Sequence, residues 1–498
     1  MTLVVLVAAA GALLAARVPG NAPARLPKHA IRVDVGKASI SARIPRGFVG
    51  LSTEFTSLMD YAGSDPGALN PIFIRLLRNL APGGSPVIRI GGDTTDWTWW
   101  PVAGARKPPW AHYVLGERWI AVARALVQAT GGRLIVGINF EADSRRLARA
   151  ESRALLRGIG SRSTITFELG NEPEVYGEIG WYRGPSGAPV LGRSSRYGFR
   201  AFLTDFHRIS TALPAGVPQA GPSLALTWPL TIASRFLAAN PRVRVFTFHF
   251  YPLKRCFNAR TSPTYPTLAH LLSPRSAAPP AGTATAVAAA HARGVEVRVD
   301  EVNSVSCKGL PGLSDTFASA LWVLDALFGL ARSGVDGVNI HTLPGVSYEP
   351  FAFTRSSGEW EASVKPIYYG LLLFTRAAPA GSQLLRTVYP RRGGLRMWAT
   401  QDRRGSVRVA LINDSAARSM TLAVRPPAPS RSALLDRLSA PGLLARGGVT
   451  LGGQSFGSLT RTGILTGRRR LSVLEPVLGR YVIALPPASA ALLTVRPG

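Results

Sequence analysis

Lysine is nearly missing from this chain: it stands only at positions 28, 37, 107, 254, 308 and 365, and the rest of the 58 basic residues are arginine. The formal net charge of +30 is therefore an arginine charge. A surface of that kind attracts polyanions such as acidic polysaccharide, nucleic acid or anionic membrane. The other reading is a compositional bias of the source genome, and both stand. An arginine tract long enough to act as a nucleic-acid arm is lacking, since Arg468-Arg469-Arg470 is isolated, so nucleic acid is not expected as a partner. Cysteine is as scarce. Cys256 and Cys307 have no further Cys or His at ligand spacing, which leaves no metal site to expect. No Gly-rich dinucleotide or P-loop fingerprint follows the first strand-like run, so no cofactor is expected either. A membrane-length apolar run is also missing. Leu3–Ala16, followed by Arg17 and a Pro/Gly spacer, suits a signal-peptide core better than a span, which needs about 20 apolar residues. It lacks the basic residues that usually precede such a core, so a misplaced start or an uncleaved anchor is the alternative. Residues 1–25 are set aside as a signal peptide or N-terminal anchor of a secreted or extracytoplasmic protein.

What is present is a folded, loop-rich composition, 46% hydrophobic and 17% charged with 51 Gly and 39 Pro. At 498 residues the chain exceeds one eight-stranded barrel, which takes roughly 250. Strand-like runs occur at Gly50–Phe55, Pro86–Gly92, Leu134–Phe140, Thr166–Glu172, Gln219–Ser223, Val245–Tyr251, Val297–Asn303 and Gly337–Thr342. Amphipathic stretches such as Arg118–Thr130, Tyr197–Leu213 and Thr316–Ser333 separate them. This alternation predicts a (β/α)8 TIM barrel over 47–378. Beyond it, short alternating runs at Leu395–Gln401, Val407–Asn413, Met420–Val424, Val449–Leu451, Arg480–Leu485 and Ala490–Val495 predict an antiparallel β-sandwich over 379–498. Two runs within 26–46, Ala30–Val35 and Ser39–Arg43, are expected to join it.

Two glutamates carry the chemistry. Glu172 closes the fourth predicted barrel strand and Glu301 lies in the seventh, and barrel enzymes gather their catalytic groups at those strand ends. Glycoside hydrolysis needs one carboxyl to protonate the leaving oxygen and another to attack or to activate water. Glu172 is expected to be the acid/base and Glu301 the nucleophile, about 5–5.5 Å apart as retention of configuration requires; two structural ion pairs are the bland alternative. Arg89 is expected either to keep Glu301 ionised or to serve as an ion-pair partner within the barrel. Glu54 and Asp93 are expected to bind sugar hydroxyls or to cap the helices that follow them. His249 is a pocket-lining donor or a structural histidine. Trp97, Trp99, Trp100 and Trp110 are sugar-stacking rings or loop packing. Cys256 and Cys307 each follow a barrel strand and are expected to form one disulfide across the catalytic face, or else to be two buried thiols.

Gly170-Asn171-Glu172-Pro173 with Asp300-Glu301 resembles the clan A glycoside hydrolases. Arg89-Ile-Gly-Gly-Asp93, Phe248-His-Phe-Tyr-Pro252 and the closing Leu485–Thr494 resemble family 79 in particular, the β-glucuronidase and heparanase group, over residue 30 to the C-terminus. The resemblance implies a retaining β-glucuronidase without cofactor, acting on a glucuronide conjugate or a glucuronic-acid-containing saccharide. It implies that Asn171 binds the sugar 2-hydroxyl and that Tyr251 orients Glu301. It also implies that the Gly345–Tyr348 loop receives the sugar carboxylate, although its spacing is one residue longer than in heparanase. The alternatives are a clan A hydrolase of neutral sugars such as xylosides or glucosides, and a non-catalytic binder of acidic polysaccharide.

Overall fold

The computed structural model describes residues 25–160, 164–390, 393–428 and 430–497. The apolar run within 1–25 lies outside them. Among the described residues no helix is long and apolar enough to cross a membrane.

Runs at Val49–Glu54, Val87–Gly91, Arg133–Ile138, Ile165–Leu169, Gln219–Leu224, Val243–Phe250, Glu296–Val302 and Gly337–Thr342, all but the fifth carrying β-branched residues, are the eight barrel strands, here called strands one to eight. Each pairs in parallel with the next, and strand eight pairs in parallel with strand one to close the barrel. The faces turned outward carry Leu51, Ile88, Ile90, Val136 and Val299, which merge with the apolar sides of the surrounding helices in one large core. Glu117–Thr130, Phe199–Ser210 and Phe317–Ser333 are among those helices. Side chains of alternate strands fill a barrel in layers. Val87, Ile135, Ala220 and Val245 form a small apolar cluster. Towards the C-terminal strand ends the filling turns polar, with Ser52, Arg89, Glu168, Thr247 and Asp300 all buried.

Ten further strands form one continuous, mostly antiparallel sheet, and three two-stranded ribbons account for the other strands described. Ile31–Ser39 lies between Gln383–Val388 and Met420–Arg425, antiparallel to the first and parallel to the second. The first expected N-terminal run lies in this strand, whose register shifts between Val35 and Ser39; of the second run only Ser39 belongs to it, and residues 40–43 lie beyond its end. The sheet curls around its own apolar cluster, which takes Val33, Leu385, Leu411, Leu422, Leu435, Ile483 and Leu493 from strands along its whole width. Its other face docks on the barrel. There Trp398 stacks on Phe328 of the Phe317–Ser333 helix at 5.5 Å and donates to Asp325 at 2.6 Å.

Candidate active site

Strand four ends at Leu169, three residues before Glu172. The sequence reading carried that strand through to the glutamate; the chain instead turns sharply, with Gly170 at φ +74° and Glu172 itself at φ 49°, ψ 52°. A Cβ on Gly170 would lie 2.4 Å from the Tyr176 hydroxyl, so only glycine fits there. A left-handed glutamate persists only where its surroundings over-determine it. Here the Glu172 N–H donates to the Ser223 carbonyl at 2.9 Å, and Pro173 opens a short helical turn. One side chain organises the bend from a distance. The Asp96 carboxylate accepts from Tyr176 Oη at 2.6 Å and from the amides of Phe140, Glu141 and Asn171 at 2.8, 3.0 and 3.1 Å.

Glu301 lies within strand seven and is held at both oxygens. Arg89 Nη1 donates to Oε2 at 2.6 Å, and the Tyr251 hydroxyl donates to Oε1 at 2.7 Å. Burial works against its charge, yet His341, His249, Arg89 and the Tyr251 hydrogen bond outweigh it and hold the carboxyl well below the usual range. Burial pushes His341 down to about 4, leaving that imidazole neutral at neutral pH, so Arg89 and His249 carry the positive charge there. Besides Glu301, Arg89 reaches Glu168 at 2.8 Å and Asn171 Oδ1 at 2.9 Å. That second bond turns the Asn171 amide nitrogen towards Asp93, 3.2 Å away.

His249 joins the two glutamates. Its Nδ1 is 2.8 Å from Glu172 Oε1 and 4.0 Å from Glu301 Oε2, and its Nε2 is 3.0 Å from Ser223 Oγ. Burial disfavours its charge, but Glu301, Glu172 and Asp300 raise it to about 10, so at neutral pH it is an imidazolium with two N–H donors. Glu172, His249 and Glu301 each present an atom within 4.8 Å of the others. That spacing also suits a cation, but both Glu301 oxygens and Glu172 Oε1 already face donors.

Glu54 and Asp93 stand beside this group. Neither caps the helix that follows it. Glu54 instead accepts the Thr94 N–H at 2.9 Å, capping the helix of the neighbouring loop. A Cβ on Gly92, at φ +69°, would fall 2.1 Å from Glu54 Oε1. Burial, with repulsion from Asp93 and Glu301, pushes Glu54 up to about 8. Asp93 is crowded by protein and by Glu172 and Glu301, which raise it to about 7, while its open position in the cleft lets water screen part of that effect.

In the loop after strand eight, Gly345 and Tyr348 each have a partner within the protein. The Gly345 N–H donates to Glu349 Oε2 at 3.0 Å, and the buried Tyr348 hydroxyl bonds to that of Tyr251. The Cys256–Cys307 disulfide is present, joining the loops after strands six and seven. A Cβ on neighbouring Gly309 would touch Ser347 and Tyr348 at 3.1 Å, so the tethered loop buttresses Tyr348. Trp99 is buried, whereas Trp97, Trp100 and Trp110 are half-buried. Trp110 stacks at 4.9 Å on Trp181, a ring the sequence reading did not single out. Asp96, Tyr176, Ser223 and His341 were missed as well; the one sequence cue was an aspartate three residues beyond Asp93 in the same loop.

The fold defined by this barrel and sheet is that of known glycoside hydrolases. A 4-O-α-L-rhamnosyl-β-D-glucuronidase from Fusarium oxysporum, solved with Rha-GlcA, aligns with a TM-score of 0.69 at 22% identity, covering 94% of this chain and all of that one. In sequence the chain is similar to two curated fungal proteins named β-glucuronidase. The one from Aspergillus niger is 23% identical over 94% of this chain and 95% of its own length. The one from Neurospora crassa is 23% identical over 69% of this chain, and the match spans 65% of that protein. No protein-family model matches the chain.

Proposed function

We propose that the protein is a retaining β-glucuronidase similar to glycoside hydrolase family 79, with 47–378 as its catalytic barrel and 26–46 joined to 379–498 as its supporting sheet. The observation that carries this is the pair itself: carboxylate oxygens of Glu172 and Glu301 within 4.8 Å, one carboxyl held anionic by Arg89 and the other reached, among the described residues, only by an imidazole N–H. That separation favours direct attack over an interposed water, for which inverting enzymes leave roughly 6.5–9.5 Å. Glu301 attacks the anomeric carbon and the C1–O bond breaks. Glu172 gives its proton to the departing oxygen, from Oε2 because Oε1 accepts from His249. Glu172, now a carboxylate, then takes a proton from water, whose oxygen displaces Glu301 from C1. Asn171, oriented by Arg89, presents its amide N–H to the sugar 2-hydroxyl. The glucuronidase relatives support a glucuronide as substrate, and the disulfide suits an exported protein.

A second reading, hydrolysis of a neutral β-glycoside, has one observation in its favour: the Gly345 amide and the Tyr348 hydroxyl already have partners within the protein. Nitrophenol release from aryl β-glucuronide, β-glucoside and β-xyloside separates the two. Turnover of the glucuronide alone, lost in Glu172→Gln and restored by azide as the β-glycosyl azide, is the expected result. Turnover of a neutral glycoside alone overturns the substrate and keeps the mechanism. Silence on all three removes the proposal.

A further inference from the structure

Directly beneath the reacting pair lie two more acids that the mechanism above does not use. Glu168 on strand four and Asp300 on strand seven are both fully buried. Arg89 Nε reaches Glu168 Oε2 at 2.8 Å and Asp300 Oδ2 at a longer 3.3 Å. Glu168 Oε1 and both Asp300 oxygens find no hydrogen-bond donor among the described residues. The two carboxyls nevertheless approach within hydrogen-bonding reach of each other, and the Thr247 hydroxyl on strand six reaches Glu168 but not Asp300. Buried acceptors facing one another without a donor are strongly unfavourable, and a proton between them removes the problem.

We infer that Glu168 and Asp300 form a carboxylate–carboxylic acid pair in which Asp300 holds its proton throughout turnover, keeping the charge beneath the nucleophile constant. Glu168 takes the shorter bond to Arg89 and is the anion; burial and the Glu168 charge favour the neutral form of Asp300. The groups facing Asp300 are Arg89 on strand two, Glu168 on strand four, His249 on strand six at 3.9 Å, Arg298 on its own strand and the adjoining Glu301. Arg298 is turned away to Asn339 Oδ1 and the Gly47 carbonyl, so with Asp300 neutral the anions Glu301 and Glu168 match Arg89 and His249, the two cations within ion-pair distance of this group. This rests on the two-glutamate reading: when Glu301 becomes an ester, Glu172 becomes the carboxylate, so the same two cations again meet two anions. His249, between the two glutamates, stays paired as the negative charge passes from one to the other. An ionised Asp300 would set a third anion, fully buried beneath the cleft, against those two cations. Asp300 is thus a positioning residue that lets Arg89 face Glu301 without competition from below.

The test is a neutral-for-neutral exchange, Asp300→Asn, with Asp300→Ser in reserve if the amide does not fold. Infrared difference spectra at neutral pH are expected to show a protonated-carboxyl band in the wild type that the variant lacks. The pH limbs of kcat/KM, measured on whichever aryl glycoside the wild type turns over, are expected to stay in place. No difference band, or limbs moved to lower pH by half a unit or more as loss of an anion requires, overturns the inference. A wild type inactive on every aryl glycoside defeats the two-glutamate reading, while the infrared arm still decides the protonation of Asp300.

Discussion

The two cores of this molecule are built on opposite rules. The ten-stranded sheet closes over an apolar cluster that includes Val33, Leu411, Leu422, Ile483 and Leu493. The upper barrel closes over Arg89, Glu168, Asp300, Glu301 and His249, all buried and each within ion-pair reach of another. Apolar burial stabilises by roughly 25 cal/mol per Å² whatever its detailed geometry. A buried ion network repays its desolvation only in one arrangement. The sheet therefore holds stability that is tolerant of detail, and the barrel mouth holds a geometry that is not. Glu172 in its left-handed turn is the extreme case: strain at the site is tolerated because the apolar cores around it supply the stability.

The largest effect expected at the polar end is on rate. Glu301→Gln keeps the shape of the side chain and removes the nucleophile, and kcat should fall on the order of 10⁴-fold or more while the thermal midpoint changes little. A parallel collapse of stability would break the contrast. The reverse experiment is at the apolar end. Leu422→Ala opens a cavity in the sheet core and should cost about 2–5 kcal/mol in denaturant unfolding, with kcat and KM of the folded fraction unchanged. A changed kcat there would mean that the sheet shapes the site.

The sequence was most legible where local pattern and fold agree. All eight barrel strands lie within three residues of the runs read from β-branched alternation, because parallel barrel strands are apolar on the outer face and bounded by helices. Three strands of the sheet were not read: Gln383–Val388, Ala433–Ser439 and Ser472–Leu474. Ala433-Leu-Leu-Asp-Arg-Leu-Ser439 is rich in helix-formers, and its pairing with Ser489–Val495 on one side and with Thr450–Leu451 and Ser472–Leu474 on the other makes it a strand. Within the site, residues on recognisable motifs were legible: Glu172, Glu301, Arg89, Asn171 and Tyr251 all converge. Asp96 was not, since its partners Tyr176 and Asn171 lie 80 and 75 residues further along the chain. Nor was the crossing by which Glu54 caps a helix in another loop, because no local spacing encodes a contact between two barrel loops.

Glu54 gives the smallest and sharpest test of the contrast, because it is an acid kept by the polar core at the expense of stability. Burial and its neighbours raise it from 4.5 to about 8. Between those values the native protein keeps the proton and the unfolded chain sheds it, so the contribution of this group to stability is full below about 4.5 and declines as pH rises, being lost above about 8. Glu54→Gln still accepts the Thr94 N–H and cannot ionise. Unfolding free energy should therefore fall less steeply from pH 5 to pH 8 in the variant than in the wild type, by on the order of 1–3 kcal/mol. Leu422→Ala should shift the whole curve down without changing its slope. If the two variants change stability with the same pH dependence, the barrel mouth is not the separately balanced polar core described here, and Glu54 ionises in the native protein as an ordinary surface acid does.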